Sequence, residues 1–170
     1  MNATSNRIEI SVEINGQSRT DLVPVRMHAA DYLRHECGLT GTHVGCEQGI
    51  CGMCTIQVDG AVVKSCLMLA VQLDGKSVRT VESLSGPEGL SPLQQAFKRH
   101  HALQCGYCTP GFLMVAQALE QREEAMTREQ IQEEISGVLC RCTGYEGIIR
   151  AIEEHLSTRG GSRNAAGRKA

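Results

Sequence analysis

Apolar and polar residues alternate near the start of the chain. Ile8, Ile10, Val12 and Ile14 are separated by Glu9, Ser11 and Glu13. A period of two places the four apolar side chains on one face of a β-strand. Asn15-Gly16 comes next as a hairpin signal, and Arg19 to Val23 reads as the return strand. Ala29 to Cys37 reads as a short helix, with Tyr32 and Leu33 on its apolar side and Gly38 where a C-terminal cap belongs. From Leu39 to Met53 the periodicity stops and glycines recur (Gly41, Gly45, Gly49, Gly52), so the stretch reads as a loop. Thr55 to Val58 and Val62 to Lys64 flank Asp59-Gly60 as a second hairpin, and Ser77 to Val81 supplies a last short strand.

The period changes near residue 85. Ser85-Gly86-Pro87-Glu88-Gly89 is a linker by composition, and beyond it the apolar spacing is helical. Ser91 is an N-cap with Pro92 at the first helical position, and Leu93, Ala96 and Phe97 form the apolar face. Thr109-Pro110 repeats the start signal for a helix through Leu119. Thr127-x-x-Gln130 is a capping box that opens a third helix, with Ile131, Ile135 and Leu139 spaced by four. Glu146 to Leu156 gives a fourth, with Ile148, Ile149 and Ile152 apolar. Residues 158–170 are basic, rich in small residues and without apolar partners, and read as a disordered tail. The expected organisation is a mixed β domain over residues 1–84, a helical domain over 85–157, and the tail.

Composition adds one constraint. The chain has 170 residues and is 41% apolar, but its only aromatics are Tyr32, Phe97, Tyr107, Phe112 and Tyr145, with no Trp. Two small domains with so little aromatic area need staples such as metals or disulfides. A formal charge of −2 gives no reason to expect nucleic acid or an anionic membrane surface. No apolar run approaches the length of a membrane span. The polar stretch Met1 to Arg7 has neither the apolar segment of a secretory signal nor a twin-Arg pair. The expected compartment is a reducing cytoplasm, where nine Cys read as metal ligands or catalytic thiols rather than disulfides.

Eight of the nine fall into two sets. In the first, four residues separate Cys46 from Cys51, two separate Cys51 from Cys54, and eleven separate Cys54 from Cys66. This is the plant-type [2Fe–2S] spacing. Three thiolates converge on two irons from one short loop and the fourth arrives from elsewhere. A loop wound that tightly needs positive φ and room where a Cβ would stand, which Gly45, Gly49 and Gly52 provide. Bare backbone N–H groups there can also point at an anionic cluster. A four-Cys zinc site is the alternative, but it usually shows two symmetric Cys-x-x-Cys knuckles. In the second set, Cys105 and Cys108 precede the Pro110 helix, and Cys140 and Cys142 come after the Thr127 helix. Two helix ends can bring these pairs together, and the N-terminus of the Pro110 helix favours an anion. Spacing alone leaves zinc open here. A chain that already holds one redox cluster has a use for a second, which favours iron–sulfur. Cys37 has no partner at ligand spacing and reads as a small buried hydrophobe.

The remaining polar residues offer no bond-making chemistry. Lys98-Arg99-His100-His101 reads as a partner-facing patch or a solvated helix end. His43 sits in the first loop but is not required as a ligand, and Glu123-Glu124 and Glu133-Glu134 read as solvated helix faces. No paired carboxylates, triad or phosphate loop is visible. That absence fits a relay whose catalytic centre lies on another chain.

Three segments carry a specific resemblance. Thr42-His43-Val44-Gly45-Cys46-Glu47-Gln48-Gly49-Ile50-Cys51-Gly52-Met53-Cys54-Thr55 resembles the plant-ferredoxin-like cluster loop of the xanthine oxidase family of molybdenum hydroxylases. Leu103-Gln104-Cys105-Gly106-Tyr107-Cys108-Thr109-Pro110-Gly111 and Leu139-Cys140-Arg141-Cys142-Thr143-Gly144-Tyr145 are similar to that family's second-cluster motifs. The resemblance spans about residues 7–156, in order. It is to the free-standing small, iron–sulfur subunit of the heterotrimeric members.

The resemblance implies an α+β chain: a β-grasp, plant-type ferredoxin-like domain followed by an all-α four-helix-bundle [2Fe–2S] domain. It implies two clusters, one on Cys46, Cys51, Cys54 and Cys66 and one on Cys105, Cys108, Cys140 and Cys142. The second would lie nearest a molybdenum–pterin cofactor in a large subunit, with Gln104 and Cys142 against the pterin. The first would face the FAD of a medium subunit. The chain would then be the electron-transfer subunit of an oxidoreductase that hydroxylates a carbon centre with water-derived oxygen, or of a close variant such as CO oxidation or aromatic reduction. One departure is Val138, where the family commonly has Asn. It costs no ligand but removes any hydrogen bond an amide would make. A stand-alone two-cluster ferredoxin carrier and a zinc-stapled interaction module are the alternatives. A free carrier needs only one cluster and usually presents an acidic face, which this nearly balanced chain lacks.

Overall fold

The computed structural model describes residues 6–122 and 125–166, with side chains described to residue 158. Five strands form one mixed sheet. They are β1 (Arg7–Ile14), β2 (Gln17–Pro24), β3 (Thr55–Val58), β4 (Ala61–Lys64) and β5 (Ser77–Arg79), in the order β2-β1-β5-β3-β4. Only β1 and β5 run parallel; the other pairings are antiparallel. Both hairpins turn at the expected dipeptides. Asn15 and Gly16 have φ of 53° and 80°, and Asp59 and Gly60 have 49° and 83°, the left-handed pair that matches strand twist.

Ile10, Val12 and Ile14 are buried, as the alternation predicts, but Ile8 is 49% exposed. It lies opposite the buried Val23, at the open end of the strand, where the cover over the sheet stops. The expected helix over residues 29–37 is one α-turn, α1 (Ala29–Asp31), widened into a π-type turn over Tyr32–Glu36. Cys37 N–H donates to Tyr32 O at 3.0 Å, and Gly38 ends the turn at φ 72°. Tyr32 and Leu33 are fully buried and close the core of this half with Ile10, Ile56, Leu73 and Val78.

Past the bend at residues 85–91 come α2 (Pro92–Arg99), α3 (Thr109–Leu119), α4 (Arg128–Ile135) and α5 (Glu146–Ala166). Capping boxes at Ser91/Gln94 and Thr127/Gln130 start α2 and α4. The start of α3 differs from the sequence reading. Cys108 is the N-cap residue, Thr109 is already helical, and the Thr109 hydroxyl is buried without a partner. Leu139 is not on α4, which ends at Ile135; its N–H donates to Cys51 O at 2.9 Å instead, and its side chain is 45% exposed. The last helix continues beyond Leu156, where apolar periodicity ends, to Ala166, so part of the expected tail is drawn as helix. Residues 167–170 of that tail, and Glu123-Glu124, lie outside the described residues. Leu93, Phe97, Phe112, Met114, Ile131, Ile148 and Ile152 form a second core, separate from that of the sheet.

The halves are packed together by β3. All four of its residues are buried, because Ile56 and Val58 face the sheet's own core while the opposite face is covered by α3. Gln57 is a buried polar residue on that covered face, and its side-chain N–H donates to Met114 O at 3.1 Å. Among the described residues no helix is long and apolar enough to cross a membrane.

Candidate functional site: two four-thiol centres

Cys46, Cys51 and Cys54 lie in the loop that enters β3, and Cys66 lies in the short turn Ser65–Leu67 that leaves β4. The β3–β4 hairpin thus returns the fourth thiol to the loop. The thiols lie in two neighbouring pairs, Cys46 with Cys51 and Cys54 with Cys66, close enough to shift each other's titration. Cys51 N–H donates to Cys46 Sγ at 3.3 Å. The N–H groups of Cys51, then Gln48 and Ile50, pull the Cys46 thiol down to about 7. Burial pushes the Cys51 thiol up and the Cys66 thiol up to about 11. Gly49 and Gly52 have φ of 77° and 73°, as a tight wrap requires. Gly45 does not; a Cβ there would stand 3.2 Å from Cys51 Sγ, so its reason is space.

The second centre forms between helix ends. Cys105 and Cys108 precede α3, and Cys140 and Cys142 lie between α4 and α5. Cys142 Sγ is 3.6 Å from Cys105 Sγ, and both residues are exposed. Cys108 lies beside Cys140, and burial pushes the Cys108 thiol up to about 12. Burial acts the same way on Cys140 but is outweighed by the Thr143 hydroxyl, 3.1 Å away, and the Thr143 N–H, 3.4 Å away, so that thiol lies below its ordinary value. Cys140 N–H donates to the Tyr145 hydroxyl at 2.9 Å. Tyr145 sits at φ 68°, strained for a bulky residue, and is braced edge-on against Phe112 with centroids 6.1 Å apart.

The two centres are back to back. The Leu139–Cys51 hydrogen bond ties the neighbour of one thiol-bearing residue to another such residue across the halves. At this seam a Cβ on Gly52 would fall on the Gly137 carbonyl and 2.8 Å from Val138 Cα, and one on Gly111 would meet Gly52 O at 2.5 Å. Val138 is fully buried there, so a methyl-lined contact occupies the place where an amide was expected. Lys64 closes the edge by donating to Gly137 O.

The other candidates separate clearly. Gln104 is exposed and precedes the exposed Cys105. Arg99 and His100 pair with Glu154 of α5, so they pin two helices together rather than form a free patch. Glu134 pairs with Arg122 at 2.6 Å. Cys37 is half-buried near Tyr32 and Arg19 and takes no part in either centre. Tyr107, Thr143 and Tyr145 lie inside the second-cluster motifs, but the sequence reading gives them no role. They touch the thiol-bearing loops through side chains, and no spacing rule points to them.

Both donor sets are four thiols without carboxylate or imidazole. Thiols set two by two, with backbone N–H groups aimed at sulfur, fit a binuclear cluster that takes two thiolates per iron.

Comparison with known proteins agrees. Residues 12–85 match the 2Fe-2S iron-sulfur cluster binding domain, and residues 80–153 match the [2Fe-2S] binding domain. The chain is 57% identical over 148 residues to the nicotine 6-hydroxylase small subunit of Paenarthrobacter nicotinovorans, covering 87% of this chain and 89% of that protein. It is 54% identical over 147 residues to the caffeine dehydrogenase subunit gamma of a Pseudomonas species, covering 85% and 88%. In three dimensions it matches a chain of quinoline 2-oxidoreductase from Pseudomonas putida 86 with a TM-score of 0.88 at 52% identity, covering 93% of this chain and 98% of that one.

Proposed function

The chain belongs to the small iron–sulfur subunits of the xanthine oxidase family, and from that premise we propose that it relays single electrons within a molybdenum hydroxylase. Cys46, Cys51, Cys54 and Cys66 would hold one [2Fe–2S] cluster, and Cys105, Cys108, Cys140 and Cys142 the other. Each cluster, when bound, supplies a site that takes up and gives back one electron. The sheet half is then a β-grasp ferredoxin-like domain (residues 1–84) and the helical half a four-helix bundle (85–157).

The observation that carries this reading is the sidedness of the pair of centres. The first has three buried thiols and one half-buried; the second turns one thiol pair outward. Around that outward pair stand Leu103, Tyr107 and Leu139, each more than 40% exposed, while Ile50 and Leu67, each more than 60% exposed, flank the first centre's thiols. Exposed apolar side chains grouped around a redox site mark a face that a partner covers. We assign the outward pair's face to a large molybdenum–pterin subunit, with Gln104 and Cys142 nearest the pterin, and assign the first centre to an FAD-bearing medium subunit. The complex would be cytoplasmic. The relatives are named for nicotine, caffeine and quinoline, all nitrogen heterocycles, which favours an N-heteroaromatic substrate.

This chain's own residues do the positioning. Glycines bring backbone N–H groups to Cys46 and Cys51, Thr143 donates to Cys140, and the Gly52–Val138 seam holds the two loops in contact. The test is low-temperature EPR of the dithionite-reduced chain, purified with whatever accompanies it, together with iron and zinc counts. Two distinct signals with about four irons per chain are expected. One signal, with zinc making up the balance, would overturn the relay.

A further inference from the structure

We propose that His43 and Tyr107 form a clamp that fixes the separation of the two cluster loops, and hence the rate at which electrons cross between them. The proposal rests on the relay reading above. His43 lies three residues before Cys46, and Tyr107 lies between Cys105 and Cys108, 64 positions away. Three contacts join the two segments, two side-chain-to-carbonyl hydrogen bonds and one ring stack. His43 Nδ1–H donates to Tyr107 O at 2.8 Å, which fixes the proton on Nδ1 because a carbonyl only accepts. The Tyr107 hydroxyl donates to Val44 O at 2.8 Å. The rings stack with centroids 4.7 Å apart and planes 16° from parallel.

The clamp is anchored on the first-loop side. Arg34 donates to Thr40 O at 2.7 Å and to Thr42 O at 2.8 Å, and Glu82 accepts from Gly41 N–H at 2.7 Å. Thr42 itself is buried. The backbone entering His43 is therefore held by side chains from two other segments. On the second-loop side, Tyr107 comes after Gly106 at φ 81° and is held by the helix start at Thr109, whose N–H donates to Gly106 O at 3.1 Å.

None of these atoms is a cluster ligand or a packing residue of either core; Tyr107 is 46% exposed. A pair that contributes little burial yet bonds in both directions across the gap is placed to set a distance. The Leu139–Cys51 bond fixes the loops on the seam side, and His43–Tyr107 fixes them a second time at another point. The Lys64–Gly137 and Gln57–Met114 bonds hold the same seam, so His43–Tyr107 is the tie that acts directly between the two thiol-bearing loops on the far side. Both are positioning residues; they touch no reacting atom.

The experiment uses the complex as purified, with both clusters reduced. Magnetic splitting between the two EPR signals falls steeply with their separation, so it reads the distance directly. Tyr107→Phe removes only the hydroxyl bond to Val44. His43→Phe keeps a stacked ring and removes the bond to Tyr107 O. Both variants are expected to keep about four irons per chain while the splitting changes. The inter-cluster transfer rate is expected to fall as the splitting weakens. The double variant should exceed either single. Unchanged splitting and rate in both variants, with iron intact, would overturn the clamp. Loss of iron in Tyr107→Phe would also overturn it, because the hydroxyl would then be holding a cluster rather than spacing two. A wild-type complex without two signals would instead bring down the relay reading itself.

Discussion

The two thiol centres reach the same donor set by opposite means. In the first, a glycine-rich loop wraps three thiols and the β3–β4 hairpin returns the fourth, leaving Cys51, Cys54 and Cys66 buried. In the second, helix ends place two thiols inward and two outward, and polar side chains (Thr143, Tyr145) do the local holding that backbone glycines do in the first. A loop that supplies its own N–H donors encloses its site. A site framed by helix ends keeps one side open, and that open side can meet a partner. The difference in construction is thus a difference in which centre is inward and which is outward.

The sharpest way to break the comparison is at the seam the two centres share. Gly52 needs φ 73° and has the Gly137–Val138 backbone where its Cβ would be. Gly52→Ala combines left-handed strain with overpacking against backbone, which together cost roughly 3 kcal/mol. Both centres should suffer, and iron content and thermal midpoint should fall together. If only the first centre lost iron, the seam would be local to that loop and the back-to-back arrangement would not couple them.

Removing single ligands should separate the centres. Cys51→Ser removes a buried thiol but keeps the main-chain carbonyl that accepts from Leu139, so it should empty the first centre and leave the second intact. Cys142→Ser acts on an exposed thiol, so it should alter only the second centre's EPR signal and leave far-UV circular dichroism unchanged. Equal loss of structure in both variants would contradict the inward–outward assignment.

A smaller effect is expected at Tyr145. Tyr145→Phe keeps the edge contact with Phe112 and removes the acceptor for Cys140 N–H, a net loss of about 1 kcal/mol for one hydrogen bond. The second signal should shift in line shape while the first stays fixed, as parallel EPR of wild type and variant would show.

How much of the molecule is legible in its sequence depends on the range of each interaction. Cys spacing, hairpin dipeptides and capping boxes are local, and the structure places Asn15-Gly16, Ser91/Gln94 and Thr127/Gln130 in those roles. The misread features depend on distant partners. Leu139 fits the α4 period, but its N–H is taken by Cys51, so the helix stops at Ile135. His100 looks like part of a basic patch until Glu154, 54 positions on, arrives beside it. Tyr107 sits inside a Cys-x-x-Cys interval and gives no sign of its partner in the other half. Val138 reads as a lost hydrogen bond and is instead the apolar filling of a contact between two glycines.

The smallest expected effect tests whether the scaffold can be altered without touching either centre. In the sheet half, Arg19 bonds to Asp21 at 2.5 Å and the Tyr32 hydroxyl to the same carboxylate at 2.5 Å. In the helical half, Arg99 and His100 bond to Glu154. Arg19, with help from Tyr32 and against partial burial, holds the Asp21 carboxyl below the usual range; Arg99 and then His100 do the same for Glu154. A carboxylate with a depressed folded value adds stability that is present above its unfolded value, near 3.9 for Asp. That stability is lost only as pH falls through the lower folded value. Asp21→Asn should therefore lower the unfolding stability by a fixed small amount, about 1 kcal/mol for a partly exposed pair, from pH 8 down to pH 5. The gap between variant and wild type should narrow only below about pH 4. Iron content and both EPR signals should stay the same throughout. A gap that already closes between pH 7 and 5 would mean that a group other than Asp21 carries the coupling, and a change in either signal would mean that this half's surface is not independent of its thiol loop.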